Sequence, residues 1–234
     1  MTICFKDMFD CKPVLACPPI ETFEGKLKRG LPSNVSIGGK ASIALLMAVL
    51  VAAGLYGFAR YGKDSNESAR LVYVQDVFKR ERTGLGASEE KALAGYIIAE
   101  SVAYKIDPLL VLAMIKTESE YYNWSRSDRG ALGLMQIMPS TGAELAGQLR
   151  FRWDGEATLF NPYMNVKMGM HYYSSLLDIY LGDAHLSLTA YNAGPSSVNA
   201  RLLAGKGVPN GFARRVMANY EQYTVALKER VEIY

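Results

Sequence analysis

A mainly helical domain preceded by one transmembrane helix is the fold class that this 234-residue sequence predicts. Three observations support it. Residues 41–59 contain no charged side chain and are long enough to cross a bilayer as a helix. Beyond residue 87, helix-start signals recur in front of apolar residues at helical spacing. No series of alternating strands and hairpin turns competes with that pattern.

The N-terminal segment, residues 1–40, is basic and rich in turn-forming residues, which indicates a loosely ordered chain. It holds all three cysteines, Cys4, Cys11 and Cys17, which are unevenly spaced and have no histidine nearby. This pattern does not fit a zinc site, so we expect neither a metal nor another cofactor. The net charge of +3 is too small to indicate nucleic acid as a partner.

Residues 41–59, ASIALLMAVLVAAGLYGFA, would be roughly 28 Å long as a helix, which matches a bilayer core of about 30 Å. The alternative is a buried helix of a soluble core, but such helices are typically shorter and carry a polar face. A cleaved signal peptide would need a much shorter basic leader. We therefore expect an uncleaved anchor that contacts the lipid bilayer, with a slight excess of basic residues favouring a cytoplasmic amino terminus.

Residues 60–86 are predicted to form a charged connector between this span and the helical domain, residues 87–234. Within the connector, an apolar stripe is predicted along one face of a short helix, formed by Leu71, Val74, Val77 and Phe78. A docking or coiled-coil segment is one interpretation of this stripe. We favour a solvated stalk that contains a partly packed helix.

Capping residues predict where the helices of residues 87–234 begin. Ser88 is expected to cap a helix that runs to about Tyr104. Asp107-Pro108 predicts a second start, because aspartate is a favoured N-cap and proline a favoured first helical residue. Further helices are expected from Pro139-Ser140, Asn161-Pro162 and Asp183, followed by a last amphipathic segment over residues 212–227.

The most informative stretch of the chain, residues 114–141, reads MIKTESEYYNWSRSDRGALGLMQIMPST. Glu118 comes late in a mostly apolar helix, so we expect its carboxyl group to be partly desolvated. Gly130 and Gly133 then allow the chain to turn closely without a Cβ in the way. A glutamate at the end of a helix is weak evidence by itself, but the glycine-spaced apolar turn that follows is much more specific.

Four sequence blocks occur in a fixed order: Glu118-Ser119, GALGLMQIMPST at 130–141, LFNPYMNVKMGMHYYSSLL at 159–177, and AYNAGP at 190–195. Together they resemble the catalytic domains of lytic transglycosylases of the soluble-transglycosylase type, which are related to goose-type lysozyme. The resemblance covers roughly residues 104–223, about half of the chain. It implies a lysozyme-like helical catalytic domain.

The resemblance also implies an enzyme that cleaves the β-1,4 bond between N-acetylmuramic acid and N-acetylglucosamine in peptidoglycan and forms 1,6-anhydromuramic ends. Glu118 matches the glutamate that acts as the family's general acid and then its base. The positions that match substrate-binding residues are Ser119, Met135, Gln136, Tyr191 and Asn192. Near its end the chain departs from the family, because Val208-Pro209 and Phe212 stand where a Glu-Thr pair and a tyrosine are common; we do not expect Phe212 in the site.

A second catalytic carboxylate is not evident in the sequence, although ordinary glycosidases use a pair. Glu120 is two residues from Glu118 and would point elsewhere on a helix. Asp128 lies in the polar loop SRSDRG, which is typical of a solvated turn. The intramolecular ring closure that the resemblance implies does not need a second carboxylate.

The sequence therefore predicts a single-pass membrane protein of the bacterial inner membrane or of a phage virion membrane, with its catalytic domain facing peptidoglycan. Its expected partners are glycan strands and the proteins of a membrane complex or virion. Its role would be local opening of the cell wall, by envelope machinery or by a penetrating phage. Two alternatives stay open: a non-catalytic envelope or virion structural protein that binds glycan strands, and a hydrolysing muramidase.

Overall fold

The computed structural model describes residues 67–232, which form nine helices joined by loops. In order, they are α1 (67–80), α2 (Ala87–Tyr104), α3 (Pro108–Ser119), α4 (Pro139–Gln148), α5 (Glu156–Phe160), α6 (Pro162–Ile179), α7 (Ala184–Ala193), α8 (Pro195–Leu203) and α9 (Gly211–Glu232). The extended pairing described outside them consists of isolated antiparallel bridges in the loop between α3 and α4. The prediction of a mainly helical domain is confirmed.

Side-chain caps determine where three of these helices begin. Asp107 accepts a hydrogen bond from the Leu109 N–H at 2.9 Å, and Asp183 accepts one from the Leu186 N–H at 2.9 Å. Asn161 caps α6 in the same way. The prediction for α2 is wrong in detail: the N-cap position is Gly86, and Ser88 already lies in the first turn, where its side chain cannot serve as the cap.

Helix α3 lies at the centre of the described fold, and its residues from Pro108 to Ile115 are buried with the exception of Leu110. It packs mainly along α9, while α6 packs against α2, α4, α5 and α7. A helix that is apolar on nearly all sides is stable only inside a core, which explains why α3 lacks a polar face. The last turn of α3 is therefore a fixed platform for whatever it carries.

Helix α1 is an integral part of the core. Its residues Tyr73, Val74, Val77 and Phe78 are buried. The Phe78 ring lies 5.4 Å from the Tyr121 ring, just beyond α3, and the Tyr73 ring lies 6.4 Å from a tyrosine of α9. The structure thus differs from the expected solvated stalk, because the apolar stripe of α1 packs directly against the elements that hold α3.

The long loop between α3 and α4 is fastened to α6 by the side chain of Asn165, which is fully buried. Its Nδ2 donates to the carbonyl oxygens of Leu132 and Leu159, each at 2.9 Å, and its Oδ1 accepts from the Met135 N–H at 2.7 Å. One amide thereby bonds three buried backbone groups, and two of them, the Leu159 carbonyl and the Met135 N–H, would otherwise be costly to remove from water.

Two glycines allow this loop and α6 to approach each other. Gly133 has a φ of +79°, and a Cβ at this position would overlap Asn165 and the carbonyl oxygen of Leu159. Gly169, one turn along α6 from Asn165, leaves the space that the side chain of Met135 fills. The loop is consequently seated in a groove of α6 that larger residues would close.

The predicted single-pass membrane localisation is wrong for the chain that the structure describes. Within residues 67–232, none of the helices is both long and apolar enough to span a bilayer. The stretch that the sequence predicts to span it, 41–59, lies outside the described residues, as do the N-terminal segment 1–40 and its cysteines.

The Asn165 anchor leads to a prediction about stability. Replacing Asn165 with alanine leaves the buried Leu159 carbonyl and the Met135 N–H without partners and removes one of the two hydrogen bonds that the Leu132 carbonyl accepts. The free energy of unfolding should therefore fall by about 3 kcal/mol or more. Urea unfolding followed by circular dichroism measures this change. Gln222→Ala is the control, because Gln222 is exposed within α9 and its substitution should change stability by less than about 0.5 kcal/mol. Equal effects of the two substitutions would contradict the assigned role of Asn165.

Candidate active site

Glu118 is the penultimate residue of α3, and its side chain is half-buried where the helix ends. The helix stops because Glu120 adopts a left-handed conformation, with a φ of 49°, and its N–H donates to the Lys116 carbonyl oxygen at 3.2 Å. Glu120 itself is exposed. The chain turn therefore separates the two glutamates, as their spacing predicts.

Burial raises the pKa of the Glu118 carboxyl to about 8, and the positive charge of Arg215 on α9 opposes part of that rise. Desolvation dominates because the ionised form would lose its hydration, whereas Arg215 is solvent-exposed and its charge is screened. At neutral pH the carboxyl group of Glu118 is therefore protonated. A group that holds its proton at pH 7 in a partly dry position is suited to general acid catalysis.

The loop beside Glu118 forms a rigid wall. Leu132 and Ile137 exchange backbone hydrogen bonds at 3.0 Å, and the Gly133 N–H donates to the Ser125 carbonyl oxygen at 3.0 Å. Gln136 has a φ of 48°, and its Nε2 donates to the carbonyl oxygens of Gly133 at 2.9 Å and Ser125 at 3.2 Å. These bonds hold the amide nitrogen of the half-buried Gln136 against the loop. The Oε1 of Gln136, on the other side of the amide, points away from the loop.

Ser119 and Met135 join this wall to the neighbouring helices. The Ser119 hydroxyl is buried and donates to the Leu134 carbonyl oxygen at 2.8 Å. The Met135 side chain is fully buried against Gly169. Both side chains thus make internal contacts, and a direct role in substrate binding stays a prediction for each of them.

Tyr191 and Asn192 come from α7. The Tyr191 hydroxyl donates to the Met135 carbonyl oxygen at 2.9 Å, which connects α7 to the loop. Burial raises the pKa of Tyr191 well above its usual range, and the nearby charge of Glu118 adds to the rise. Asn192 is exposed at the end of the same helix, where Gly194 is the C-cap. The structure thus brings Glu118 and Tyr191 together, and Asn192 follows Tyr191 directly in the chain.

Two residues of α9 complete the surroundings of Tyr191, and sequence reasoning assigned a site role to neither. The Phe212 ring is stacked on the Tyr191 ring, with centroids 6.3 Å apart and an interplanar angle of 9°. The Arg215 guanidinium lies 6.0 Å from the centre of the Phe212 ring. Their spacing of three residues puts them on one face of α9, so the buried Phe212 is the signal that would have pointed to Arg215.

Within residues 67–232, other acids do not form a pair with Glu118. Asp128 is exposed in the loop, as expected for a solvated turn residue. The same residues contain no cluster of three or more side chains suited to holding a metal ion. Glu118 is accordingly the acid whose pKa is raised by its position in the structure.

Known proteins are similar to the central part of the chain. Residues 95–207 match the protein family described as Transglycosylase SLT domain. The chain is 34% identical over 107 residues to the membrane-bound lytic murein transglycosylase C of Serratia proteamaculans, covering 42% of this chain and 30% of that protein. The protein of the same name from Edwardsiella ictaluri is 33% identical over 116 residues, covering 46% and 32%. The chain spans about a third of the length of these relatives.

A solved structure shares the fold. The complex of the 70-kDa soluble lytic transglycosylase with bulgecin A matches with a TM-score of 0.52 and 25% sequence identity, over 58% of this chain and 25% of that one. The family match includes Glu118, and the predicted resemblance to lytic transglycosylases is confirmed by the family and the fold together. Residues 95–207 of this chain therefore form a lysozyme-like transglycosylase SLT domain.

Proposed function

We propose that the chain is a peptidoglycan lytic transglycosylase, a lyase that cleaves the β-1,4 bond between N-acetylmuramic acid and N-acetylglucosamine. The observation that carries this proposal is the half-buried carboxyl of Glu118, whose pKa of about 8 keeps it protonated at neutral pH. The family match and the names of the relatives support the substrate class. The proposed catalytic domain spans residues 87–234, and the proposed role is local opening of the cell wall.

The first step of the proposed mechanism uses Glu118 as a general acid. Its proton passes to the glycosidic oxygen as the bond to the muramic sugar breaks, and the departing N-acetylglucosamine takes that oxygen as a hydroxyl group. A carboxyl group that is already protonated and partly desolvated transfers its proton without first having to acquire one from water. The positive charge of Arg215 favours the carboxylate that this step produces.

The second step returns the proton. The Glu118 carboxylate accepts the proton of the C6 hydroxyl of the same muramic sugar, while the C6 oxygen forms a bond to C1. The ring that closes is the 1,6-anhydro form, and no water is consumed. One carboxyl group therefore serves as acid and base in turn, which accounts for the lack of a second carboxylate near Glu118 among residues 67–232.

The site residues divide into two groups in this proposal. Gln136 and Asn192 have amide groups with atoms left to bind the acetamido and hydroxyl groups of the sugars. Ser119, Met135 and Tyr191 fix the wall by their internal bonds and contacts, and the family resemblance supports their place in the substrate-binding region. Peptidoglycan glycan strands are the proposed partner. Proteins of a membrane complex or a virion stay predictions.

Glu118→Gln tests the central claim. The amide has nearly the same shape but no transferable proton, so cleavage of purified peptidoglycan should fall by about 10³-fold while glycan binding persists. Release of soluble fragments from insoluble peptidoglycan measures cleavage. Glu120→Gln and Asp128→Asn are matched controls, because both acids are exposed, and each should retain activity close to that of the unmodified protein.

Three results would contradict the mechanism. Undiminished cleavage by Glu118→Gln would exclude Glu118 as the acid, and loss of cleavage in Asp128→Asn would identify a second carboxylate. Inactivity of the well-folded unmodified protein, with glycan binding retained, would favour a structural protein that binds glycan strands.

The chemical form of the products separates a lytic transglycosylase from a hydrolysing muramidase. Ring closure by the C6 hydroxyl yields anhydro-ended fragments, which are lighter by one water than the reducing-ended fragments of hydrolysis. Mass spectrometry of a complete digest should find the anhydro form predominant. Digestion in water enriched in ¹⁸O should leave the new muramic ends unlabelled, and incorporated label would indicate hydrolysis.

The pH dependence follows from the protonation of Glu118. Because the acid must hold its proton, kcat/KM should decrease as the pH rises through about 8. Arg215 lowers the pKa of Glu118, so Arg215→Gln should move this alkaline limit upwards, by a fraction of a pH unit because Arg215 is exposed. Rate profiles between pH 5 and 10 on soluble fragments measure both limits.

Arg214→Gln is the control for this shift. Arg214 is the exposed neighbour of Arg215, and its substitution removes the same charge. Its alkaline limit should stay within the error of the unmodified protein. The same displacement in both variants would show that net charge, and not the position of Arg215, determines the effect.

A further inference from the structure

Two large aromatic side chains stand half-exposed on the loop that follows α3. Tyr122 is 47% exposed and Trp124 is 50% exposed, in a loop whose other large apolar residues are mostly buried. A half-exposed tryptophan forgoes part of the favourable burial of a large apolar surface. We use the name aromatic platform for Tyr122 and Trp124.

The platform is held in place by three kinds of contact. Trp124 Nε1 donates to the Gly84 carbonyl oxygen at 3.3 Å, and the Trp124 ring lies 5.5 Å from the Phe160 ring at the end of α5. A Cβ at Gly84 would come within 2.9 Å of Trp124 and 3.2 Å of Tyr122. Both rings therefore lean on the bare backbone of Gly84, and their positions are fixed before any ligand arrives.

Polar groups border the platform on the side of α5. Arg126 Nη1 and Nη2 donate to the two carboxylate oxygens of Glu156 at 2.9 and 2.6 Å, and the guanidinium lies 5.8 Å from the centre of the Phe160 ring. Such a planar ion pair keeps further donor and acceptor positions on its outer edge. Flat aromatic faces next to fixed polar edges suit a pyranose ring, which has an apolar face and a rim of hydroxyl groups.

The platform belongs to the same rigid unit as the wall of the active site. Trp124 directly precedes Ser125, whose carbonyl oxygen accepts hydrogen bonds from the Gly133 N–H and from Gln136 Nε2. Gln136 is one of the proposed substrate contacts. A polymeric substrate that contacts Gln136 therefore passes close to the aromatic platform, whose orientation is fixed relative to Gln136 through Ser125.

We propose that the aromatic platform is a saccharide-binding site that holds peptidoglycan glycan strand beyond the sugars bound at Glu118. This inference rests on the proposed function, because it takes the substrate to be a strand longer than the two sugars that react. Its effect is to retain the insoluble polymer between cleavage events. Stacking of sugars on the rings supplies this retention, and the chemistry at Glu118 does not require it.

Binding is tested with Glu118→Gln protein, which cannot consume the probe, and purified insoluble peptidoglycan. In this background Trp124→Leu, which keeps apolar volume but removes the flat ring, should weaken binding about tenfold in a pelleting assay. Trp124→Phe should retain most of the binding, because it preserves an aromatic face. Leu203→Ala, at a residue that is 91% exposed on α8, is the control for loss of exposed apolar surface and should bind as the background does.

Activity is tested with Glu118 intact on two substrates. Trp124→Leu should lower kcat/KM on insoluble peptidoglycan about tenfold and leave cleavage of a soluble four-sugar fragment within twofold of the unmodified protein. Circular dichroism and the unfolding midpoint confirm that the variant is folded. If Trp124→Leu does not fold, the same measurements are made with Tyr122→Leu, whose ring has no hydrogen bond to Gly84.

The outcomes separate this inference from the proposed function. If the unmodified protein cleaves neither substrate, the proposed function fails. Binding in the Glu118→Gln background still tests whether the aromatic platform binds glycan strands. Unchanged binding and cleavage of insoluble peptidoglycan by Trp124→Leu overturns the inference. Equal losses on both substrates overturn it as well, because Trp124 would then belong to the active site. Self-association that disappears in Trp124→Leu, with glycan binding unchanged, would assign the surface to a second copy of the chain.

Discussion

The attachment of the loop between α3 and α4 to α6 is the constraint on which the candidate active site depends. Asn165 holds the loop by three buried hydrogen bonds, and Gly169 gives Met135 the space to enter α6. From the other side, Tyr191 bonds the Met135 carbonyl oxygen. The wall beside Glu118 is therefore set by interactions of the interior, so its geometry does not rely on a substrate to organise it.

The acid itself is governed by two opposing influences. Partial burial at the end of α3 favours the neutral carboxyl, while Arg215 favours the ionised one. A group that must give up a proton and then recover it benefits from both, because neither form is excessively stable. The exposed position of Arg215 keeps its influence the smaller of the two. The stacked rings of Phe212 and Tyr191 connect this cation to the loop without placing it inside the core.

Much of the fold could be predicted from local sequence because helix caps act locally. Asp107 correctly predicted the start of α3, whereas Ser88 lies two residues beyond the N-cap of α2, which is Gly86. Glu118 could be proposed from the sequence because it stands at the position of the family's catalytic glutamate and follows an apolar helix. Arg215 could not, since periodicity shows that α9 has an apolar face but not which residues of α3 that face meets. For the same reason, the pattern of α1 indicated an apolar stripe without revealing that the core of the domain encloses it.

The packing of α1 against Tyr121 and α9 shows that the cooperative folding unit includes α1. The family match starts at residue 95, after the whole of α1 and the first turns of α2. A polypeptide cut at that boundary would expose the rings of Tyr121 and Tyr223, whose hydroxyl groups share a hydrogen bond at 2.7 Å beneath α1. The segment that the family match defines, residues 95–207, is therefore shorter than the segment that must be present for the domain to fold on its own.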